Sequence, residues 1–228
     1  TVEVDGVPGP RRCVLFGWLP GRLVDQVRDE VFADFGEVSA RIHDHGLAWD
    51  PPAGLRPLVW DGVFYYPDEQ VVLFDQAHSP CMPPERAEVF RAAIDRIDRD
   101  KARLWSAGTP GFMHGDISAW NAMLHRGRVT AFDFEYTTVG FPIQDIATTL
   151  YYGRGEPGYE VRCGAFRRGY ESVRPWPVEF DGQLELHRAA RSVMFTTSVF
   201  RAGGAGGLAP ADIESRIEDR LRDSLDGR

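Results

Sequence analysis

The chain has 228 residues, 43% hydrophobic and 26% charged, with a formal net charge of −8. Its length accommodates one large domain, or one domain with part of another, and its acidic balance argues against a general nucleic-acid binder, which needs a basic face to meet phosphates. No apolar run reaches the roughly 20 residues that span a bilayer. Thr1 to Pro10 lack the basic start and apolar stretch of a signal peptide. Cys13, Cys81 and Cys163 are too scattered for a disulfide framework or a zinc site, which suits a cytoplasmic protein.

In chain order, Arg12 to Leu19 reads as a short buried strand running into a connector, closed by Pro20-Gly21. Val24, Val27, Val31, Phe35, Val38 and Ile42 recur three or four residues apart and predict a long helix, with Gly46 as its stop. Trp49 to Pro84 is irregular and rich in proline and aromatics, with a turn at Asp61-Gly62. A second helix is expected from Pro84 to Trp105, its stripe formed by Phe90, Ile94, Ile97 and Leu104. A loop around His114-Gly115-Asp116 follows, then two strands, Ala122 to His125 and Val129 to Phe134, turning at Arg126-Gly127-Arg128. The remainder reads as helices near Ile143 to Tyr152, Tyr159 to Val173 and Gly182 to Arg201. A glycine-rich joint (Gly203 to Gly207) then leads to a last amphipathic helix carrying Ile213, Ile217, Leu221 and Leu225. The picture is an α+β fold, mostly helical, with one small hairpin whose base carries polar residues.

Those polar residues have the spacing of phosphoryl-transfer chemistry. Asp116 lies two residues after His114, Asn121 five after Asp116, and Asp133 twelve after Asn121 at the end of an apolar strand. Asn121 is also the only asparagine in the chain. A four-residue loop lets Asp116 and Asn121 point into one cleft from its two ends, and the hairpin returns the chain to bring Asp133 alongside. Transfer from ATP needs a carboxylate beside the acceptor hydroxyl and oxygen ligands for magnesium. An amide oxygen from Asn121 and a carboxylate from Asp133 suit that hard cation, which leaves Asp116 to accept the hydroxyl proton and orient the nucleophile.

The segment HGDISAWNAML followed by VTAFDFEY resembles the catalytic loop and metal strand of the aminoglycoside phosphotransferase and choline kinase superfamily, relatives of protein kinases in fold. The likeness continues through Gly140-Phe141-Pro142 and Asp145-Ile146-Ala147, and upstream VLFGWLPGR is similar to the hinge between two lobes. The resemblance implies Asp116 as catalytic base, His114 as the brace of the loop, Asn121 and Asp133 as magnesium ligands, and Asp145 as a structural partner of the loop. For Asp145 a helix N-terminal carboxylate favoured by the dipole is an equal reading. Glu135 takes a secondary role, and the backbone of Phe16, Gly17, Trp18 and Leu19 meets the adenine. A kinase small lobe also carries a phosphate-covering loop and a strand lysine. Neither is here, and Lys101, the only lysine, falls in a helix before the loop. The expectation is therefore a large catalytic and acceptor-binding lobe over residues 20–228, with residues 1–19 a remnant of a small lobe largely missing.

Other polar groups have plainer readings. His43-Asp44-His45 is read as a solvent-facing helix end in preference to a metal cluster, and His125 as a surface or turn residue. Trp120 is either a wall of the acceptor pocket or packing. Arg188, Arg191 and Arg201 are read as a solvated helix face, with contact to an anionic acceptor as the alternative. The positive charge near Gly182 to Arg201 tilts the acceptor away from a strongly cationic aminoglycoside. The expected function is ATP- and Mg2+-dependent transfer to a hydroxyl of a small molecule (aminoglycoside, choline-like, homoserine-like or sugar). The alternatives are a nucleotide-binding pseudokinase, a protein serine/threonine kinase and a metal-dependent hydrolase using Asp116 and Asp133.

Overall fold

The computed structural model describes residues 15–26, 31–64, 71–75, 82–201 and the isolated positions 2, 5, 6, 8, 9, 13, 221 and 222. Helical spacing of apolar residues yields five α-helices among these: α1 (Val31–Ala48), α2 (Pro84–Ala107), α3 (Pro142–Tyr151), α4 (Tyr159–Glu171) and α5 (Gln183–Arg201). Six short strands complete the α+β architecture, β1 (Arg22–Leu23), β2 (Leu58–Val59), β3 (Gly111–Met113), β4 (Ala122–His125), β5 (Arg128–Ala131) and β6 (Thr138–Gly140). They form two three-stranded sheets, ordered β1-β4-β5 and β2-β6-β3. In the first sheet β4 and β5 pair antiparallel with Ala122 opposite Ala131; in the second β6 runs parallel to β2 and antiparallel to β3. None of the described helices is long and apolar enough to cross a membrane.

Three expectations are corrected. Residues 15–19 form no strand and are not buried: Leu15, Phe16 and Trp18 are 98%, 81% and 90% exposed. Arg12 and Val14 lie outside the described residues, as do Val27, the joint at Gly203 to Gly207, and the last helix apart from Leu221 and Arg222. Gly46 does not stop α1, which runs on to Ala48. Its role is steric, because a methyl there would come within 1.8 Å of the Phe112 carbonyl oxygen in β3. Finally, the buried face of α1 is Phe35, Gly36, Ser39, Ala40, His43 and Gly46, with Val38 and Ile42 only half-buried.

That rotated face follows from how closely α4 approaches. A Cβ on Gly36 would lie 2.0 Å from the Phe166 carbonyl oxygen, and one on Gly169 would lie 1.8 Å from that of Ala33. Two backbones this close need residues without side chains between them, and the branched residues are displaced to the flanks. Phe35, Phe166 and Tyr170 then fill the space beside the glycines with Ile117, Ile146 and Leu150. Gly169→Ala is expected to cost about 1–3 kcal/mol through overpacking, read from the urea midpoint; an unchanged midpoint would show that the helices can separate freely.

The second core lies between α2 and α5, where Phe90 and Ile97 meet Leu186 and Val193. Two charges are buried in it. Asp100 accepts hydrogen bonds from Arg103, Gln183 and His187, tying α2 to α5. Burial pushes its carboxyl up, but the bonds from His187, Arg103 and Gln183 outweigh this and hold it at about 2. Lys101 donates to the Gly62 carbonyl, with its ammonium 4.9 Å from the Trp60 ring centroid. Burial draws that ammonium down to about 7 against the pull of Asp98, Asp61 and Asp100. An unfolded lysine titrates near 10.4, so between the two values the unfolded chain holds more protons. Stability therefore climbs with pH across that window. Lys101→Met is expected to abolish the climb, measured by urea midpoints taken from neutral to alkaline pH.

Candidate functional site

The site is built where the second sheet hands the chain to the first. Strand β3 ends at Met113, and residues 114–118 form a loop that closes in a 3-10 turn, Ala119–Asn121. Gly115 sits at φ 85°, and a methyl there would fall 2.0 Å from the Tyr136 carbonyl oxygen, so the residue before Asp116 must be glycine. The loop is held from below. The backbone N–H groups of His114 and Gly115 donate to Asp145 at 2.8 Å each, and the His43 ring lies 3.2 Å from the same carboxylate. His43 also contacts the Tyr170 hydroxyl at 2.9 Å, so it is a buried connector between α1, α3 and α4. The reading of His43 as part of a solvent-facing helix end is corrected; Asp44 and His45 beside it are exposed.

Asp145 is fully buried. Burial pushes its carboxyl up; the hydrogen bond from His43, the attraction of His43 and His114 and the Gly115 amide prevail and hold it below the usual carboxylate range. It lies near the N-terminus of α3, and its contacts go to the loop. The His114 ring is fixed at both nitrogens. Nε2 faces the Phe132 carbonyl at 2.9 Å and Nδ1 accepts from the Asp116 amide at 3.4 Å, which selects the tautomer with hydrogen on Nε2. His114 thereby bridges the loop to the outgoing strand.

Asn121 turns its amide nitrogen toward Asp116, 2.9 Å from the main-chain oxygen and 3.2 Å from Oδ2. Its backbone oxygen accepts from the Phe132 amide at 3.0 Å, closing the mouth of the β4–β5 hairpin. Asp133 is the next residue along, with φ 64° and ψ 61°. A non-glycine residue in this left-handed region is uncommon and costs on the order of 1 kcal/mol or more; here it swings the chain out of β5 into the 3-10 turn Phe134–Tyr136. Asp133 and Glu135 are exposed and line an open cleft of about 1310 Å³. Met123 and Thr130 of the hairpin line it together with Phe16, Gly17, Trp18 and Leu19. His114, Asp116, Asn121, Asp145 and Trp120 are not among its lining residues.

Asp133 offers a carboxylate, and Asn121 keeps its amide oxygen when its nitrogen serves Asp116. This pair fits a small hard cation that completes its shell with water and phosphate oxygens, as magnesium does. Among the described residues no group of three or more His, Cys, Asp or Glu side chains forms an all-protein cage.

Arg191 is the residue that sequence reasoning set aside. Its Nη2 lies 2.6 Å from Asp116 Oδ1 and 3.1 Å from the Tyr152 hydroxyl, and its side chain is 14% exposed. Arg188 is buried too, donating to Glu185 at 2.7 Å. The solvated-face reading is thus corrected for both; Arg201 is exposed, with its guanidinium over the Phe64 ring. The missed signal is that Arg191 is the one charge between Ala189 and Phe200. A single charge in such a run is one the fold must pair. Trp120 is 38% exposed and sits edge-on against Tyr152, centroids 4.3 Å apart.

The model of the family described as "Phosphotransferase enzyme family" matches residues 3–176. A homoserine kinase of Gluconobacter oxydans is 28% identical over 174 residues, covering 72% of this chain and 51% of that protein. Among solved structures, a microcompartment-associated aminopropanol kinase superposes with a TM-score of 0.69 at 18% identity, covering 98% of this chain and 69% of its own. An amicoumacin kinase in complex with AMP-PNP, Ca2+ and Ami gives 0.68 at 19% identity, covering 92% and 63%. Both structural likenesses concern the fold. The chain spans about half the length of the curated relatives it matches, 51% to 56%.

Proposed function

The chain belongs to the phosphotransferase enzyme family, and from that premise we propose that it carries the catalytic lobe of a kinase transferring the terminal phosphoryl group of ATP to a small-molecule hydroxyl. The observation that carries this reading is the juxtaposition at the hairpin mouth. Asp116 is held by Asn121, whose backbone oxygen accepts from Phe132, and one residue past that hydrogen bond Asp133 lines a cleft large enough for a nucleotide.

In this reading the acceptor hydroxyl donates its hydrogen bond to Asp116, which positions the oxygen for in-line attack and receives the proton. The new bond joins that oxygen to the γ-phosphorus. The bond from the γ-phosphorus to the bridging oxygen breaks, and ADP leaves with that electron pair. Asn121 keeps Asp116 oriented through its amide nitrogen and, with Asp133, supplies oxygen ligands for magnesium. When bound, magnesium neutralises charge on the β- and γ-phosphate oxygens. The backbone of Phe16 to Leu19 holds the adenine, Glu135 has a secondary part in the cleft, and His114 and Asp145 brace the loop. ATP as donor makes the cytoplasm the expected compartment. The homoserine and aminopropanol kinases among the relatives support a small hydroxyl compound as acceptor.

The test uses γ-labelled ATP, Mg2+ and a panel of hydroxyl compounds, with the full-length protein. Label is expected in a phosphomonoester of at least one acceptor, and transfer is expected to fail without Mg2+ and in Asp133→Ala. Transfer unaffected by both changes contradicts the assignment.

A further inference from the structure

We infer that Arg191 and Tyr152 are positioning residues for the transfer: they fix the Asp116 carboxylate against the body of the lobe, so that it meets the acceptor hydroxyl in one orientation. The inference rests on the kinase reading above and adds a residue of α5 and one at the end of α3 to that site. It begins with what the other contacts leave undone. Asp145 holds the loop by the amides of His114 and Gly115, which fixes main chain and not the Asp116 side chain. Asn121 reaches Oδ2 at 3.2 Å, but it lies five residues away in the same loop. A bond inside the loop ties the carboxylate to the loop and to nothing beyond it. The last torsion of an aspartate is broad and roughly two-fold, so a carboxylate held at one oxygen by one long bond still turns.

Arg191 supplies the outside anchor. Its Nη2 donates to Oδ1 at 2.6 Å, a short bond between two charged groups and so a strong one. The guanidinium is carried by α5, whose Leu186, Ala190 and Val193 are packed into the second core. The same nitrogen lies 3.1 Å from the Tyr152 hydroxyl, and Tyr152 follows directly on α3. Tyr152 in turn meets Trp120 of the loop edge-on, with centroids 4.3 Å apart. These contacts close a ring from Asp116 through Arg191, Tyr152 and Trp120 back into the loop. One carboxylate oxygen is thereby fixed from inside the loop and the other from outside it. The base stays usable, because a carboxylate has about four lone-pair sites. The Asn121 and Arg191 side chains occupy two of them, and an acceptor hydroxyl needs one.

The experiment measures transfer from ATP by the full-length protein to whichever of L-homoserine, choline, 1-aminopropan-2-ol and D-glucose the parent phosphorylates fastest. Arg191→Gln is expected to lower kcat about 100-fold, the scale of a misplaced reacting group, with the KM for ATP within about three-fold of the parent. Arg191→Lys is expected to recover about ten-fold of that loss, because the charge stays and the fork is lost. Tyr152→Phe lacks only the hydroxyl and is expected to lower kcat about five-fold. Because Arg191 acts through Asp116, adding Arg191→Gln to Asp116→Ala is expected to cost less than about three-fold more. A kcat that Arg191→Gln leaves unchanged overturns the inference, as does a loss confined to KM, which would make Arg191 a binding group. The full loss repeated in the Asp116→Ala background also overturns it, because Arg191 would then act on the scaffold. If Arg191→Gln is unfolded by circular dichroism, Arg191→Lys and Tyr152→Phe decide, and a parental kcat in both overturns the inference. Transfer by the parent to none of the four compounds removes the kinase reading and this inference with it. Transfer that Arg191→Gln leaves intact removes this inference alone.

Discussion

Asp116→Ala is expected to lower phosphoryl transfer by about three orders of magnitude, the range for losing a positioned general base, while the denaturation midpoint moves by less than about 1 kcal/mol. The two halves of this expectation have separate grounds. The carboxylate is the group placed to orient a hydroxyl and take its proton, and Asn121 and Arg191 hold it from opposite sides. Its side chain is 17% exposed, and so is not part of either core. Removing it leaves Arg191 with the Tyr152 hydroxyl and access to water. An activity loss accompanied by unfolding would place Asp116 in the scaffold.

Asp145→Ala is expected to have the largest effect on stability, about 3–5 kcal/mol, the usual cost of removing one partner of a buried charged cluster. Two main-chain amides and the His43 ring lose their acceptor at once, in a place water does not reach. The loop that presents Asp116 loses its floor, so activity falls with stability. The pH dependence gives a second readout. Because the folded carboxyl is held below its ordinary range, its contribution is full above the unfolded value of about 3.9 and is lost as pH falls through the folded value. The parent is expected to weaken steeply in that acid window, and Asp145→Ala to weaken less. Urea midpoints between neutral and acid pH measure both, and a variant as stable as the parent would show that the loop finds other acceptors.

What could be read from the sequence depended on how far apart the interacting residues lie. The approach of Asp116 and Asn121 is a matter of five residues and one turn, and helices α2 to α5 begin and end within about two residues of their expected bounds because their apolar spacing is regular. The Arg191–Asp116 contact spans 75 residues, His43–Asp145 spans 102 and His43–Tyr170 spans 127. No local pattern announces such pairs; only the isolation of Arg191 among uncharged residues hints that a partner is needed. The errors have a similar origin. An apolar run says that burial would be favourable and not what provides it, so Leu15, Phe16 and Trp18 were expected inside and lie outside. In α1 Phe35 lies in the core as its spacing indicates and Val31, Val38 and Ile42 pack at the core's edge, because a neighbouring helix selected for the absence of side chains at Gly36 and so rotated the buried face.

The central claim is transfer of phosphoryl from ATP to a hydroxyl at Asp116, and phosphorus NMR of the reaction follows it atom by atom. The full-length protein is incubated with ATP, Mg2+ and an acceptor from the panel of hydroxyl compounds. The γ-phosphate signal is expected to decay as a phosphomonoester signal grows in equal amount, with no growth in Asp116→Ala. Decay to inorganic phosphate alone, or an equal phosphomonoester signal from Asp116→Ala, contradicts it.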